Sequence, residues 1–237
     1  MTPEITILAL SAAAIAFVHT LLGPDHYLPF VAMAKARGWS MRRALRITLA
    51  CGVGHLAGSV LLGVIGISLG IQLSSVTWLE GFRGNLAAWL LVGFGVAYTA
   101  WGLRQAYRNR PHTHWHHHDG LFHVHEHTHR ETHAHVHDAR SGNKSLTPWL
   151  VFIIFVLGPC EPLIPLLMYP AARESMAGVM VVTMVFGLVT VVTMIIAVSI
   201  ALLGLRNVKL HKFERYGHAV AGSTIAACGL GMALLGL

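Results

Sequence analysis

Gly23-Pro24-Asp25-His26-Tyr27-Leu28-Pro29 interrupts an apolar run that starts at Ile5, and 135 residues later Gly158-Pro159-Cys160-Glu161-Pro162-Leu163-Ile164-Pro165 interrupts another. Proline removes a backbone donor and clashes with the preceding turn, so each stretch predicts a discontinuous helix. In lipid such a break is tolerated where the freed backbone is buried or lines a wet cavity. At the same offset Phe17 meets Phe152, Leu22 meets Leu157 and Gly52 meets Gly187. The chain reads as two related halves.

Working outward, 54% of the 237 residues are hydrophobic, 11% are charged and the mean hydropathy is +0.60. A soluble domain carries about a quarter charged residues, so neither a soluble enzyme nor any enzymatic activity is expected. Six segments meet the length of about 20 apolar residues that a spanning helix needs: 5–23, 47–73, 86–103, 146–169, 176–205 and 219–237. Glu4 and no basic residue precedes the first, so it is expected to be retained rather than cleaved as a signal peptide. The expected fold is an all-α polytopic membrane protein with six transmembrane helices, helices 1 and 4 broken. Each half has an odd number of spans, so the halves are expected as inverted three-helix repeats. Residues 1–107 form the first, 108–145 a loop and 146–237 the second.

Of the 17 lysines and arginines, 15 fall in the loops after spans one, three and five, leaving Arg83 and Arg173 on the other side. The positive-inside rule puts those three loops in the cytoplasm and both termini outside an inner (plasma) membrane. The basic pI therefore reads as topology, with the bilayer as partner and no nucleic acid. Trp39, Trp78, Trp101, Tyr107, Trp149, Tyr169 and Tyr216 near span ends read as interfacial anchors. Cys51, Cys160 and Cys228 form no CxxC pair, which excludes a disulfide framework.

Polar groups inside a membrane are costly and usually functional. Asp25 and Glu161 sit at the two breaks, with His19, His26, His55 and Cys160 nearby in the pattern. Imidazole with carboxylate suits borderline divalent ions such as nickel, cobalt, zinc or ferrous iron, so these six residues are the candidate metal ligands. Structural readings stand beside this one. Asp25 can cap the half-helix after its break, Glu161 can favour the next helix dipole, and His19 and His55 can be interhelical donors. Cys160 can be a small buried hydrophobe. His19 and His26 are about 10 Å apart on an unbroken helix. They share a site only if the Gly23-Pro24 break folds the chain. Met176, Met180 and Met184 form a stripe read as packing, and Gly54/Gly58 and Gly66/Gly70 as close helix contacts.

Twelve of the 17 histidines lie between Pro111 and Asp138: His112, His114, His116, His117, His118, His123, His125, His127, His129, His133, His135 and His137. Much of this follows H-x-H, which places imidazoles on one side of an extended chain. No fixed fold is expected without metal. The tract reads as a labile store or sensor for several transition-metal ions, with a pH-responsive linker as the competing reading.

His19-Thr20-Leu21-Leu22-Gly23-Pro24-Asp25-His26 resembles the signature of nickel/cobalt transporters, a first-helix histidine followed by Asp-His. The six-span plan with its histidine-rich loop looks like the NicO type, whose RcnA-like members export these metals. The resemblance implies that His19, Asp25 and His26 line a metal path. Five residues separate the histidine from Asp-His here, against four in the classical permeases. The wider LysE-like and DsbD/CcdA-like families share the inverted halves. In the DsbD/CcdA type, electrons move through one cysteine in span one and one in span four; here Cys160 keeps the second place and Asp25 takes the first. A dithiol relay does not run on one thiol.

The expected function is alternating-access transport of a divalent transition metal, nickel or cobalt foremost and export preferred, with zinc and iron as further cargo and no permanently bound cofactor. Proton coupling fits this scheme because ligands must shed protons to hold metal. The alternative is a membrane thiol or electron carrier, or a metalloprotein assembly factor, of the DsbD/CcdA-like type. A homo-oligomer is compatible with either.

Overall fold

The computed structural model describes residues 3–108, 112–118, 121–127, 147–172, 175–206 and 214–235. Five helices in it are long and apolar enough to cross a bilayer: α1 (Pro3–Leu22), α3 (Met41–Ser68), α4 (Leu73–Arg108), α7 (Met176–Arg206) and α8 (Gly217–Leu235). Three shorter helices accompany them, α2 (Leu28–Ala36), α5 (Thr147–Leu157) and α6 (Leu163–Ala172). Both proline breaks appear where the sequence places them. A single 3-10 turn, Pro24–His26, separates α1 from α2, and residues 158–162 separate α5 from α6.

Two helix bounds depart from the sequence expectation for local reasons. Helix α3 stops at Ser68 because Gly70 adopts φ +63° and the Ile71 N–H reaches back to the Gly66 carbonyl at 2.8 Å, the left-handed closure that glycine makes cheap. Gly70 is thus a turn residue, while Gly66 does make a close contact, against Val76 of α4. Helix α4 starts at Leu73, well before residue 86, and carries Glu80 and Arg83 into the bundle as an ion pair. Pairing removes the penalty that made this stretch read as a loop.

Apolar contact is organised in three clusters. One joins Ala12 and Ala16 of α1 to Leu56, Leu163 and Phe186. A second joins Phe30 to Cys51, Phe155 and Met194. The third brings Met33 and Leu91 against Ile225 and Cys228 of α8. Helices α4 and α8 touch at backbone distance: a Cβ on Gly222 would collide with the Thr99 amide, and one on Gly102 with that of Ala219. Small residues allow such approach where the hydrophobic effect between helices is absent. Met176, Met180 and Met184 are exposed on α7, so they face outward instead of filling a gap in the bundle.

The histidine-rich segment, expected without a fixed fold, contains an antiparallel pair, β1 (His112–His118) and β2 (Leu121–His127), with His112 opposite His127 and His118 opposite Leu121. Alternating residues suit a strand because its side chains also repeat every two positions. The intervening sequence is Asp119-Gly120, a dipeptide favoured between paired strands. His129, His133, His135 and His137 lie outside the described residues.

Candidate functional site

The first break folds the chain back on itself. The Gly23 N–H closes α1 onto the His19 carbonyl at 2.9 Å, and the His26 N–H bonds the Gly23 carbonyl at 3.1 Å. His19 and His26, two turns apart in sequence, thereby come to a ring-centroid separation of 4.8 Å. Glycine is required at the fold: a Cβ on Gly23 would lie 2.6 Å from His26 Nδ1 and 2.9 Å from Asp25 Oδ1. Helix α3 supplies His55, whose ring centroid is 5.4 Å from that of His26, edge to face. Asp25 Oδ1 stands 3.3 Å from His26 Nδ1.

Hydrogen bonding fixes the tautomers. His26 Nδ1 lies 3.2 Å from the Gly23 carbonyl and His55 Nδ1 lies 3.2 Å from the Phe155 carbonyl. A carbonyl oxygen can only accept, so each Nδ1 donates and each Nε2 carries a bare lone pair. Among the described residues, the Nε2 atoms of His19, His26 and His55 are buried with no hydrogen-bond partner, and Oδ1 of Asp25 has none beyond its ion-pair contact with His26, although buried polar atoms are as a rule satisfied. Among the described residues no three His, Cys, Asp or Glu side chains converge in ready ligating geometry. The rings of His19 and His55 each meet that of His26 edge to face.

A cavity of about 330 Å³ opens beside this cluster. His19, Asp25 and His26 form one wall; Pro159, Glu161 and Pro162 of the second break form another; Gly81, Gly84 and Asn85 of α4 contribute a third. The two interrupted segments therefore face one polar space, with Asp25 buried and Glu161 exposed to it. Asp25 and His55 also line a small adjoining recess with Phe155 and Gly158. Cys160 stands apart from these donors, its side chain packed in the apolar cluster of Ala12, Leu163 and Phe186.

Glu80 has no role in the sequence reading, and Arg83 enters it only as a loop charge. Glu80, only 1% exposed, accepts hydrogen bonds from the Cys160 N–H at 3.0 Å and from the Ser59 hydroxyl, and pairs with the Arg83 guanidinium. Arg83 in turn donates to the Val156 and Gly158 carbonyls at 3.2 and 3.3 Å. Backbone groups freed by the break at Pro159 are thus satisfied from α3 and α4, the condition for a break inside a membrane. The sequence carries the signal as an acid and a base three residues apart, and it is their charge that makes the apolar run begin at residue 86.

A family model described as cytochrome c biogenesis protein transmembrane region matches residues 28–231. The chain belongs to that family. No curated protein and no solved structure matches it. Membership in the cytochrome c biogenesis transmembrane family overturns the resemblance to nickel/cobalt transporters. That likeness rests in detail on eight residues at the first break and in layout on six spans with a histidine-rich loop, whereas the family match spans α2 to α8. It backs the DsbD/CcdA-like alternative over metal export. The matched span begins two residues past His26, so it includes His55, Cys160 and Glu161 and leaves His19, Asp25 and His26 just outside.

Proposed function

We propose that this membrane protein serves metalloprotein assembly, with the His19, Asp25, His26 and His55 cluster as its working centre in place of a dithiol. Its cysteines support that choice. Cys51, Cys160 and Cys228 are free, buried and distributed one to each of the three apolar clusters, so no two are positioned to exchange electrons through a disulfide. The observation that carries the reading is the pair of histidines whose Nδ1–H groups are tied to backbone carbonyls while their Nε2 lone pairs stand buried and unused. Metal-ligating histidines are oriented in this way, the outer nitrogen fixing tautomer and ring direction.

In this reading the cargo is a divalent transition-metal cation, a class that imidazole and carboxylate donors suit. It enters by the cavity, and Glu161 attracts it at the opening. His26 and His55 bind it through Nε2, His19 completes the set by turning its ring, and Asp25 supplies charge. Cys160 is excluded from the set by its apolar packing. The protein is then an inner-membrane factor with two inverted three-helix halves, 1–107 and 146–237, the α5–α6 pair making the sixth crossing and residues 108–145 the cytoplasmic loop.

Complementation of a deletion strain tests this, with mature c-type cytochrome read by covalent haem staining. Asp25→Asn and His26→Ala are expected to lower the signal at least tenfold, with Cys160→Ser close to the parent. In purified protein, cobalt(II) used as a spectroscopic probe is expected to give ligand-field bands that both cluster variants abolish. Loss of function in Cys160→Ser with normal His26→Ala would replace the proposal with a thiol carrier.

A further inference from the structure

The last carbonyls of α5 have no partners further along the helix, and Pro159 brings no N–H to them. They are bonded from beyond the helix instead. The Gly158 N–H reaches the Ile154 and Phe155 carbonyls, each at 3.1 Å, and the Phe155 carbonyl also receives the His55 Nδ1–H at 3.2 Å. Arg83 Nη2 spans the Val156 carbonyl at 3.2 Å and the Gly158 carbonyl at 3.3 Å, while its Nη1 is held by Glu80. His55 from α3 and Arg83 from α4 therefore close one and the same turn. The guanidinium fits there because α3 presents glycine three residues beyond His55: a Cβ on Gly58 would lie 2.8 Å from Arg83 Nη2 and 3.1 Å from the Val156 carbonyl. The Phe155 ring extends the link, its centroid 5.2 Å from that of His55 and 6.1 Å from that of His26. Movement of this turn would be felt by both histidines.

We propose that Arg83 is a positioning residue for His55: by pinning the Val156 and Gly158 carbonyls it fixes the Phe155 carbonyl between them, which keeps the His55 ring in the Nδ1–H tautomer and its Nε2 lone pair free for an ion. Arg83 touches neither histidine; it acts through the turn. A carbonyl on the outer nitrogen of a ligating histidine sets tautomer, ring direction and basicity, and losing such a partner costs about 10–100-fold in metal affinity. Arginine suits the task because its planar fork holds an acid at one nitrogen and backbone carbonyls at another, a geometry that a lysine ammonium does not reproduce. The use of the lone pair for an ion rests on the cluster reading above, whereas the hold on the ring does not.

The test uses the full-length protein in detergent, labelled with 15N-histidine, the His55 signals in its NMR spectrum being those lost in His55→Ala. The parent is expected to show the Nδ1–H tautomer alone. Arg83→Lys keeps the charge that Glu80 pairs with but loses the fork, and Gly58→Ala displaces the guanidinium without removing it. Both are expected to show mixed tautomers at His55, to bind cobalt(II) about tenfold more weakly and to shift its ligand-field bands at saturation. A contribution to folding alone would lower the unfolding temperature and leave tautomer and bands as in the parent. A single Nδ1–H tautomer with parent-like bands in both variants would overturn the inference. The two readings fail separately: cobalt bands that survive His26→Ala and His55→Ala remove the ion cluster, and mixed tautomers in Arg83→Lys and Gly58→Ala would still establish the hold on His55.

Discussion

The Cys160 N–H donates to the Glu80 carboxylate across 3.0 Å, joining the second break to a residue of α4 that stands 80 positions earlier in sequence. With Arg83 bound to the Val156 and Gly158 carbonyls, this acid and base supply the partners that Pro159 and Pro162 take from the backbone. The wall of the cavity that holds Glu161 is therefore set by α4.

Removing one member of a buried, hydrogen-bonded ion pair leaves the other uncompensated, at a cost of about 3–5 kcal/mol. Glu80→Ala is expected to destabilise the protein on that scale, and Arg83→Leu similarly. The Glu80→Leu/Arg83→Leu double variant is expected to lose less than the sum of the two. Thermal unfolding in detergent, followed by tryptophan fluorescence, measures all three; additive losses would show that the pair does not act as a unit.

Gly23→Ala probes the fold-back that unites His19 and His26. The added methyl group would lie 2.6 Å from His26 Nδ1, and overpacking of this kind costs about 1–3 kcal/mol. The ring must move, so cobalt(II) binding is expected to weaken at least tenfold while the protein still folds. Parent-like binding would show that His26 is not held where the site needs it.

The thiols give an independent reading. Cys51 and Cys160 are fully buried and Cys228 nearly so, and thiol reactivity requires access to the thiolate. Native protein treated with N-ethylmaleimide is expected to show no adduct by mass spectrometry over minutes, and three after denaturation. Rapid labelling of Cys160 alone would identify a reachable thiol and favour electron transfer.

Gly222→Leu and Gly102→Leu are each expected to abolish the folded peak in size exclusion of solubilised membranes. Even a Cβ at either position strikes backbone of the opposite helix, which rotamer changes do not relieve. Gly93 and Gly204, where a Cβ meets nothing within 4 Å, serve as controls, and Gly→Leu there is expected to retain folded protein.

Sequence reading reached what is local. A Gly-Pro pair reports its own consequence, so both interrupted helices follow from residues 19–29 and 158–165, while the approach of His19 to His26 depends on a fold-back that the residues permit but do not dictate. Glu80 is the opposite case. Its meaning resides in Ser59, Arg83 and the Cys160 amide, which only the folded bundle assembles, and its charge argued against a span that in fact contains it. The H-x-H repeat gave the extended habit of the loop, but the pairing of His114 with His125 is a property of register. The family is a related case: the motif at the first break and the histidine-rich layout point to nickel/cobalt transporters, whereas the match that decides membership runs from residue 28 to 231.

Helix α4 runs for 36 residues, about 54 Å at 1.5 Å per residue, against roughly 30 Å of hydrocarbon. Glu80, held by Ser59 of α3, lies near its beginning, and Arg104 and Arg108 lie at its far end. A helix of that length has either to lean steeply within a bilayer or to continue past its hydrocarbon edge as a solvated stalk.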